Sequence, residues 1–338
     1  MILVTGGTGL VGAHLLYDLC KSGEQVRVIK RTDSNIENVK KVFSYYTNTP
    51  DILFKNIEWV DADLLDFYTL LDAMQGITSV FHCAAMVSFE PKNASKMMQI
   101  NIEGTANIVN AAIEQGVKKF CHVSSIATLG KSENEKLITE DAFWKSSPEN
   151  STYSISKYAA EREVWRASEE GLDVIIVNPS MILGGGNWQK SSSNLFSKGY
   201  KGLLFYSNGA TGFIDVRDVS ALMIALMNSD KKNQRFILTA ENATYKSFFN
   251  FVHQGFNKTK PMFKAGNIVS GIAWRVEKLR AAITGSNPLI TKETARSANK
   301  TIYYSNEKIK KEFPNYQFIS LENSVKDTCS FFLKDNKK

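Results

Sequence analysis

Short apolar runs alternate along the chain with longer segments in which apolar residues recur every three or four positions. The run at 2–4 (ILV) is short and continuous, which is typical of a buried strand. From residue 10 the spacing changes and predicts an amphipathic helix that ends near Ser22 and Gly23. Residues 25–29 (QVRVI) predict a second strand. This order of strand, glycine-rich turn, helix and strand predicts a βαβ unit.

The same alternation continues through most of the chain. It predicts a parallel sheet with helices on both faces, an α/β doubly wound fold. Ligands of such sheets bind beyond the carboxyl ends of the strands, so residues that follow strands are the candidates for chemistry. Further strands are predicted at 57–60, 79–83, 119–124, 173–177 and 235–239, and a long helix at about 94–115.

Four glycines follow the first strand within seven positions: Gly6, Gly7, Gly9 and Gly12. They satisfy two spacings at once, GxGxxG from Gly7 and GxxGxxG from Gly6. Between a strand and a helix, such glycines permit a tight turn, close approach of a diphosphate and close packing of helix on strand. The helix N-terminus adds free N–H groups and a positive dipole end. The alternative is a glycine-rich turn in an unrelated α/β protein.

Composition and charge narrow the class of protein. Hydrophobic residues make up 43% of the 338 residues, so a core of normal size is expected. The net charge of +7 is spread along the chain, which favours an anionic cofactor over nucleic acid. The four cysteines form no CxxC pair, and neither a signal peptide nor a span of about 20 apolar residues occurs. We therefore expect a cytoplasmic protein without membrane insertion.

Two His–Cys pairs on predicted strands raise the question of a metal site. His82 and Cys83 lie on one strand, and Cys121 and His122 on another. Adjacent residues of a strand point to opposite faces, so four converging ligands are geometrically awkward. Buried structural residues are the favoured interpretation, and no metal is expected.

Tyr153 and Lys157 are four residues apart at the start of a predicted helix, which places them on one face. Such a pair suits the reduction of a ketone by hydride transfer, because this reaction leaves an alkoxide to which a proton must be supplied. A nearby ammonium and an oxidised nicotinamide are expected to lower the pKa of a tyrosine for this task. Ser124 and Ser125 follow a predicted strand, and a serine hydroxyl there could hold the carbonyl oxygen.

These segments together resemble the extended short-chain dehydrogenase/reductase superfamily, the NAD-dependent epimerase/dehydratase family. The resemblance rests on TGGTGLVG at 5–12, on Ser124 and Ser125, and on the YxxxK pair of Tyr153 and Lys157. The stretches VFHCAAMVSF and NPSMILGGG look more like the dihydroflavonol 4-reductase and 3β-hydroxysteroid dehydrogenase branch. The resemblance implies a Rossmann domain (1–180 and 213–240) and a smaller C-terminal α/β substrate-binding domain (181–212 and 241–338).

The resemblance also implies the roles of individual residues. Of the two serines, Ser125 matches the catalytic position, beside Tyr153, Lys157 and Asn101. For Asn101 a surface position on the helix is the alternative. The residues implied to bind the cofactor are Thr5, Gly6, Gly7, Thr8, Gly9, Leu10, Val11, Gly12, Lys30, Arg31, Asp63, Leu64, Ala84, Ala85, Tyr153, Lys157, Pro179 and Ser180.

Lys30 and Arg31 decide which dinucleotide is expected. An NAD-binding unit usually has an acidic residue at the end of its second strand, to accept from the ribose hydroxyls. Here two cations stand there, and Arg31 could pair with a 2′-phosphate in a bidentate manner. We expect NADP, with NAD as the alternative and two solvated surface charges as the structural interpretation.

The leading hypothesis is an NADP-dependent oxidoreductase acting on a carbonyl or secondary alcohol of a bulky, partly apolar molecule. A sugar-nucleotide epimerase or dehydratase with tightly bound NAD is the second, and a non-enzymatic NADP sensor the third. The resemblance implies that a homodimer could form.

Residues 185–212 predict a long Gly/Ser-rich loop. Residues 267–284 predict an apolar helix that faces the core or lines the substrate site, and a position at a membrane surface is the alternative.

Overall fold

The computed structural model describes residues 1–130, 137–203, 205–207, 209–259, 263–266, 271, 274–277, 280 and 298–336. The apolar helix predicted at 267–284 falls mostly outside the described residues, so its relation to core or membrane stays a prediction. Within the described residues, no helix combines the length and apolar character needed to cross a membrane.

The chain opens with the predicted βαβ unit. Strand β1 (Ile2–Thr5) is followed by helix α1 (Leu10–Lys21) and strand β2 (Val26–Lys30). β2 lies parallel to β1, with Ile2 opposite Val26. The helix ends at Lys21, and Gly23 then adopts a positive φ of 81°, which lets the chain reverse towards β2.

Among the described residues, seven parallel strands form the central sheet in the order β11-β7-β5-β4-β1-β2-β3. The strand order reverses between β1 and β4, and a crevice forms beyond their carboxyl ends at such a switch point. The remaining strands of this sheet are β3 (Ile57–Asp61), β4 (Ser79–His82), β5 (Lys119–Val123), β7 (Asp173–Pro179) and β11 (Gln234–Leu238).

Helices cover both faces of this sheet, so the predicted doubly wound α/β fold is confirmed. One apolar core lies between the sheet and α1, α2 (Glu37–Phe43) and α8 (Val216–Asn228). The second lies between the other face and α4 (Phe67–Ala73), α5 (Ala94–Glu114) and α6 (Thr152–Glu169). A short helix α3 (Pro50–Phe54) precedes β3.

Residues 185–212 are not the long loop that the sequence predicts. They contain helix α7 (Ser193–Lys201), the short strand β9 (Phe205–Tyr206) and the start of strand β10 (Ala210–Asp215). The helix forms because its aromatic residues have partners far away in sequence. The Phe196 ring packs edge to face on Phe248 at 5.8 Å between ring centres, and Tyr200 packs on Phe256 at 5.2 Å.

The C-terminal part adds a second layer around this aromatic core. β10 pairs with β8 (Met181–Leu183) and with β12 (Glu241–Thr244) in a separate sheet. Helices α9 (Tyr245–Gly255) and α11 (Leu321–Asp335) pack beside it. The remaining described elements are β6 (Leu137–Ile138), β13 (Phe263–Lys264), β14 (Tyr303–Tyr304), α10 (Glu307–Glu312) and two 3₁₀ turns, Pro91–Asn93 and Ile126–Thr128.

Candidate active site

The glycine turn between β1 and α1 has a conformation that side chains would obstruct. Gly6 has a φ of +68°, and a Cβ atom there would lie 2.6 Å from the Cα of Ala84. A Cβ atom at Gly12 would lie 2.3 Å from the carbonyl oxygen of Gly6. At Gly7 it would meet Val28 on β2 at 2.6 Å. Glycine is therefore required at these three positions by packing and backbone geometry.

Gly9 has a different environment, and it is the position that suits a ligand. It is exposed, and a Cβ atom there would meet only the Gly6 oxygen, at 3.1 Å. Gly9 is the N-cap residue of α1 and supplies no side-chain cap, and the first turn has no acidic residue. The first N–H groups of the helix have no partner within it and carry the positive dipole end. Leu10, Val11 and Gly12 could thus hold a dinucleotide diphosphate.

Thr5 connects the switch point to the loop that follows β4. Its Oγ1 lies 2.7 Å from Nδ1 of His82, the last residue of β4, and accepts a hydrogen bond from the Ala84 N–H at 3.2 Å. Nε2 of His82 lies 3.1 Å from Oγ1 of Thr105 on α5. These bonds fix Ala84, and with it the neighbouring Ala85, beside the glycine turn.

Asn101 is buried and is not the surface residue that was the alternative. It is 2% exposed, and its amide accepts from the Met86 N–H at 2.7 Å and donates to the Met86 carbonyl at 3.0 Å. The same amide donates to Oγ of Ser156 on α6, also at 3.0 Å. Asn101 therefore ties the loop after β4 to the helix that carries Tyr153 and Lys157.

The cations after β2 differ in how far they are engaged. Nζ of Lys30 lies 2.6 Å from Asp61 at the end of β3. Nε of Arg31 lies 3.1 Å from Asp33, with both side chains mostly in solvent. Arg31 lowers the pKa of the Asp33 carboxyl by hydrogen bonding and charge. Arg31 is therefore the cation more accessible to a 2′-phosphate.

The other residues predicted beside the nucleotide lie around the same edge. Thr8 follows Gly7 in the turn, and its carbonyl accepts from the Asn38 amide at 3.4 Å. Asp63 is exposed and accepts from the Leu65 N–H at 2.9 Å. The side chain of Leu64 covers Gly104 of α5, where a Cβ atom would lie 2.9 Å from it. All three lie near the carboxyl ends of β1 and β3.

Ser125 and Tyr153 meet at the carboxyl end of β5. Ser125 begins the turn Ile126–Thr128, and its Oγ accepts from the Ala127 N–H at 3.1 Å. Tyr153 lies in the first turn of α6, which Ser151 caps. The Ser125 side chain lies close enough to the phenol of Tyr153 to lower its pKa. The two hydroxyls that the chemistry requires are thus adjacent.

The direction of the Tyr153 pKa differs from the prediction. The sequence-based expectation is a pKa lowered by Lys157 and an oxidised nicotinamide. In the structure, burial raises the pKa of Tyr153, and the nearby Ser125 side chain offsets only part of the rise. The Lys157 ammonium donates to the Val123 carbonyl at 2.8 Å and is not among the groups that lower the Tyr153 pKa. Without a cofactor, the phenol therefore stays protonated at neutral pH.

Lys157 is a buried cation. It is 2% exposed, and its Nζ lies 3.5 Å from Nε2 of His122 on β5. Burial lowers the pKa of Lys157 to about 8, while Glu161 and Cys83 act in the opposite direction. A lysine with this pKa can change its charge close to neutral pH.

Ser124 is engaged by another partner, which favours Ser125 as the serine available to a substrate. Its hydroxyl donates to Oε2 of Glu161 at 2.5 Å. Glu161 is 1% exposed and lies one turn beyond Lys157 on α6. Sequence reasoning missed Glu161, although its spacing of four from Lys157 was visible.

Pro179 and Ser180 lie where β7 ends, near the same edge. The Ser180 N–H donates to the Leu238 carbonyl at 2.9 Å, and its hydroxyl accepts from Thr239 at 2.9 Å. Both residues are buried.

The two histidines lie side by side on neighbouring strands. His82 and His122 are register partners, and their rings stack with centres 5.2 Å apart. Burial lowers the pKa of both imidazoles. No group of three or more His, Cys, Asp or Glu side chains that could hold a metal ion occurs in the described part of the chain.

An apolar surface lies beside the candidate phenol. The Phe89 ring packs edge to face on Tyr153, with ring centres 5.8 Å apart. Phe89 and the nearby Val87 are both exposed large apolar residues, at 39% and 47%. Sequence reasoning quoted both residues within the stretch VFHCAAMVSF but gave neither of them a role.

The chain is similar to known proteins over almost its whole length. The model of the NAD dependent epimerase/dehydratase family matches residues 2–238. A putative dihydroflavonol 4-reductase from Synechocystis sp. is 29% identical, over 97% of this chain and 93% of that protein. Sterol demethylase protein B from Methylococcus capsulatus is 27% identical, over 75% of this chain and 73% of that protein. The crystal structure of gox2253 is 29% identical with a TM-score of 0.81, covering 99% of this chain and 98% of that one.

Proposed function

Because the chain belongs to the NAD dependent epimerase/dehydratase family, we propose that it is an NAD(P)-dependent reductase of the Ser-Tyr-Lys type. Its reaction is hydride transfer between NADP(H) and a carbonyl or secondary alcohol of a bulky, partly apolar molecule. The observation that carries this proposal is the proximity of the Ser125 side chain to the phenol of Tyr153, one helical turn from a buried Lys157. Similarity to a putative dihydroflavonol 4-reductase supports reduction as the reaction class.

The proposal assigns the glycine turn to cofactor binding. Gly9 would leave room for a diphosphate at the amino end of α1, and the exposed Arg31 would bind a 2′-phosphate. When bound, the nicotinamide would supply the hydride. Preference for NADP over NAD depends on Arg31 and on the lack of an acidic side chain at the end of β2.

The residues of the chain would supply the proton and the positioning. Ser125 donates a hydrogen bond to the carbonyl oxygen and holds it beside the phenol. Tyr153 then gives its proton to that oxygen as the carbonyl carbon is reduced. The raised pKa of Tyr153 suits this direction, because the acid form prevails at neutral pH. The positive charge of Lys157 stabilises the phenolate that remains.

The substrate class follows from the surface beside the phenol. Phe89 and Val87 present apolar area next to Tyr153, so a bulky apolar or aromatic carbonyl compound gains more from binding than a small polar one.

The direct test is a rate assay with both cofactors and a panel of carbonyl compounds. We expect NADPH to be consumed faster than NADH, and aromatic or polycyclic ketones and aldehydes to react faster than small polar ones.

The family also contains epimerases and dehydratases, as its description states. Purified protein that holds NAD tightly and interconverts a sugar nucleotide without net NADPH consumption would contradict the proposal and favour that alternative.

A further inference from the structure

The geometry points to Glu161 as a positioning residue that holds the Ser125 segment against the helix carrying Tyr153 and Lys157. This inference rests on the proposed reductase function and names a residue that the function itself does not require. Glu161 is 1% exposed, and it lies on α6 two turns beyond Tyr153 and one turn beyond Lys157.

Both carboxylate oxygens of Glu161 are occupied. Oε2 accepts from the Ser124 hydroxyl at 2.5 Å, the Thr128 hydroxyl at 2.9 Å and the Asn178 amide at 3.0 Å. Oε1 accepts from the Trp165 indole N–H at 3.2 Å and lies 2.7 Å from Nη2 of Arg235. Five donors converge on one buried side chain.

These donors come from four different elements of the fold. Ser124 and Thr128 flank Ser125, so their bonds to Glu161 fix the backbone on both sides of the candidate serine. Asn178 lies at the end of β7 and donates to the Ser125 carbonyl at 3.1 Å as well. Arg235 lies on β11 at the edge of the sheet. Glu161 thus sets the separation between the β5 loop and α6, and with it the alignment of Ser125 on Tyr153.

Burial of this carboxylate is costly, and its surroundings compensate for the cost. Removing a charged group from water is unfavourable unless the group is paired and hydrogen-bonded. Arg235 provides the opposite charge, and its guanidinium also lies over the Trp165 ring at 5.6 Å. A neutral side chain could fill the same space without this desolvation penalty, so the arrangement favours a role for the negative charge of Glu161.

The charge also acts on Lys157. The groups that face Lys157 are His122 and the Val123 carbonyl on β5, His82 and Cys83 at the end of β4, and Glu161 on its own helix. Burial lowers the pKa of Lys157, and the negative charge of Glu161 raises it. Loss of that charge would shift the Lys157 pKa further down, away from the protonated form.

The variant Glu161→Gln removes the charge and keeps the shape. Its amide oxygen can still accept from Trp165 and Arg235, but its NH₂ group then faces the NH₂ group of Asn178, so two donors oppose each other. We expect the turnover number for ketone reduction to fall by about 100-fold, with the KM for NADPH within about twofold of the original. The alkaline limb of the turnover profile moves to lower pH.

Two further variants separate charge from position. Glu161→Asp keeps the charge but shortens the reach, so turnover falls while the alkaline limb stays near its original pH. Glu163→Gln is the matched control on the same helix, because Glu163 pairs with Arg166 at the surface. Neither the turnover number nor the pH profile of this control changes. If Glu161→Gln does not fold, Ser124→Ala deletes one donor only and tests position alone: turnover falls, and the alkaline limb stays near its original pH because the charge of Glu161 remains.

Hydrogen–deuterium exchange of residues 126–129 gives a readout that needs no substrate. The N–H groups of Ala127, Thr128 and Leu129 are bonded to Ser125 or Ile126 within this turn. We expect them to exchange faster in Glu161→Gln and at the original rate in Glu163→Gln. Unchanged exchange together with unchanged turnover would overturn the inference. Faster exchange in a protein that reduces no carbonyl compound would instead contradict the proposed function and leave the positioning role standing.

Discussion

Replacement of Lys157 by methionine is expected to change the stability of the protein in a pH-dependent way. Lys157 is buried, and its pKa in the folded protein is about 8, compared with an ordinary value of 10.5. The folded state therefore binds fewer protons than the unfolded state between these two values. Stability of the unmodified protein rises with pH across this window, because the unfolded chain binds more protons there.

The size of the effect follows from the shift. A fall from 10.5 to about 8 corresponds to about 3 kcal/mol, since each pKa unit is worth about 1.4 kcal/mol. This is the cost of keeping the buried ammonium below pH 8. Methionine removes that cost but leaves the Val123 carbonyl without its donor, which costs about 1–3 kcal/mol at every pH. The difference in unfolding free energy between the two proteins isolates the part that depends on pH.

Urea unfolding of both proteins, followed from about pH 6.5 to about pH 10.5, measures this difference. We expect the variant to lose about 3 kcal/mol relative to the unmodified protein as the pH rises through the window. All other titrating groups are shared, so they largely cancel in the difference. A difference that stays constant with pH would show that Lys157 titrates normally, and would refute the reasoning from burial.

Two other expectations concern the cofactor. Gly9→Ala should fold normally but bind NADPH more weakly, because its Cβ atom would meet only the Gly6 oxygen and would enter the space proposed for the diphosphate. Gly12→Ala should bind NADPH more weakly and also unfold at a lower temperature, since its Cβ atom would lie 2.3 Å from the Gly6 oxygen. Equal unfolding midpoints of the two variants in a thermal scan would contradict this expectation. Arg31→Glu should weaken NADPH binding by about tenfold or more and spare NADH, because a charged hydrogen bond is lost and repulsion is added. Fluorescence titration at fixed ionic strength checks it, and an equal loss for both cofactors would count against the assignment.

Much of the fold could be predicted because it depends on local patterns. Each of these patterns involves residues that are close together in sequence. Examples are the short apolar run of each buried strand, the helical spacing after Gly12 and the glycine turn. The predicted strands therefore agree with the observed ones to within about two residues, which is the usual uncertainty of element ends.

Other features depend on partners that are distant in sequence and could not be predicted in this way. The helix at Ser193–Lys201 is stabilised by aromatic rings that lie 50 or more residues further along the chain, such as Phe248. The direction of the Tyr153 pKa depends on burial, which no spacing reveals. The contacts of Glu161 join positions as far apart as Ser124 and Arg235.

The central claim is that the phenol of Tyr153 supplies the proton for carbonyl reduction. Its most direct test compares Tyr153→Phe with Tyr158→Phe, because Tyr158 lies on the same helix and stacks on Trp144 instead. With a ketone that the unmodified protein reduces, we expect Tyr153→Phe to bind NADPH normally but to lose at least about 100-fold in turnover, and Tyr158→Phe to keep its rate. Full turnover by Tyr153→Phe would contradict the account.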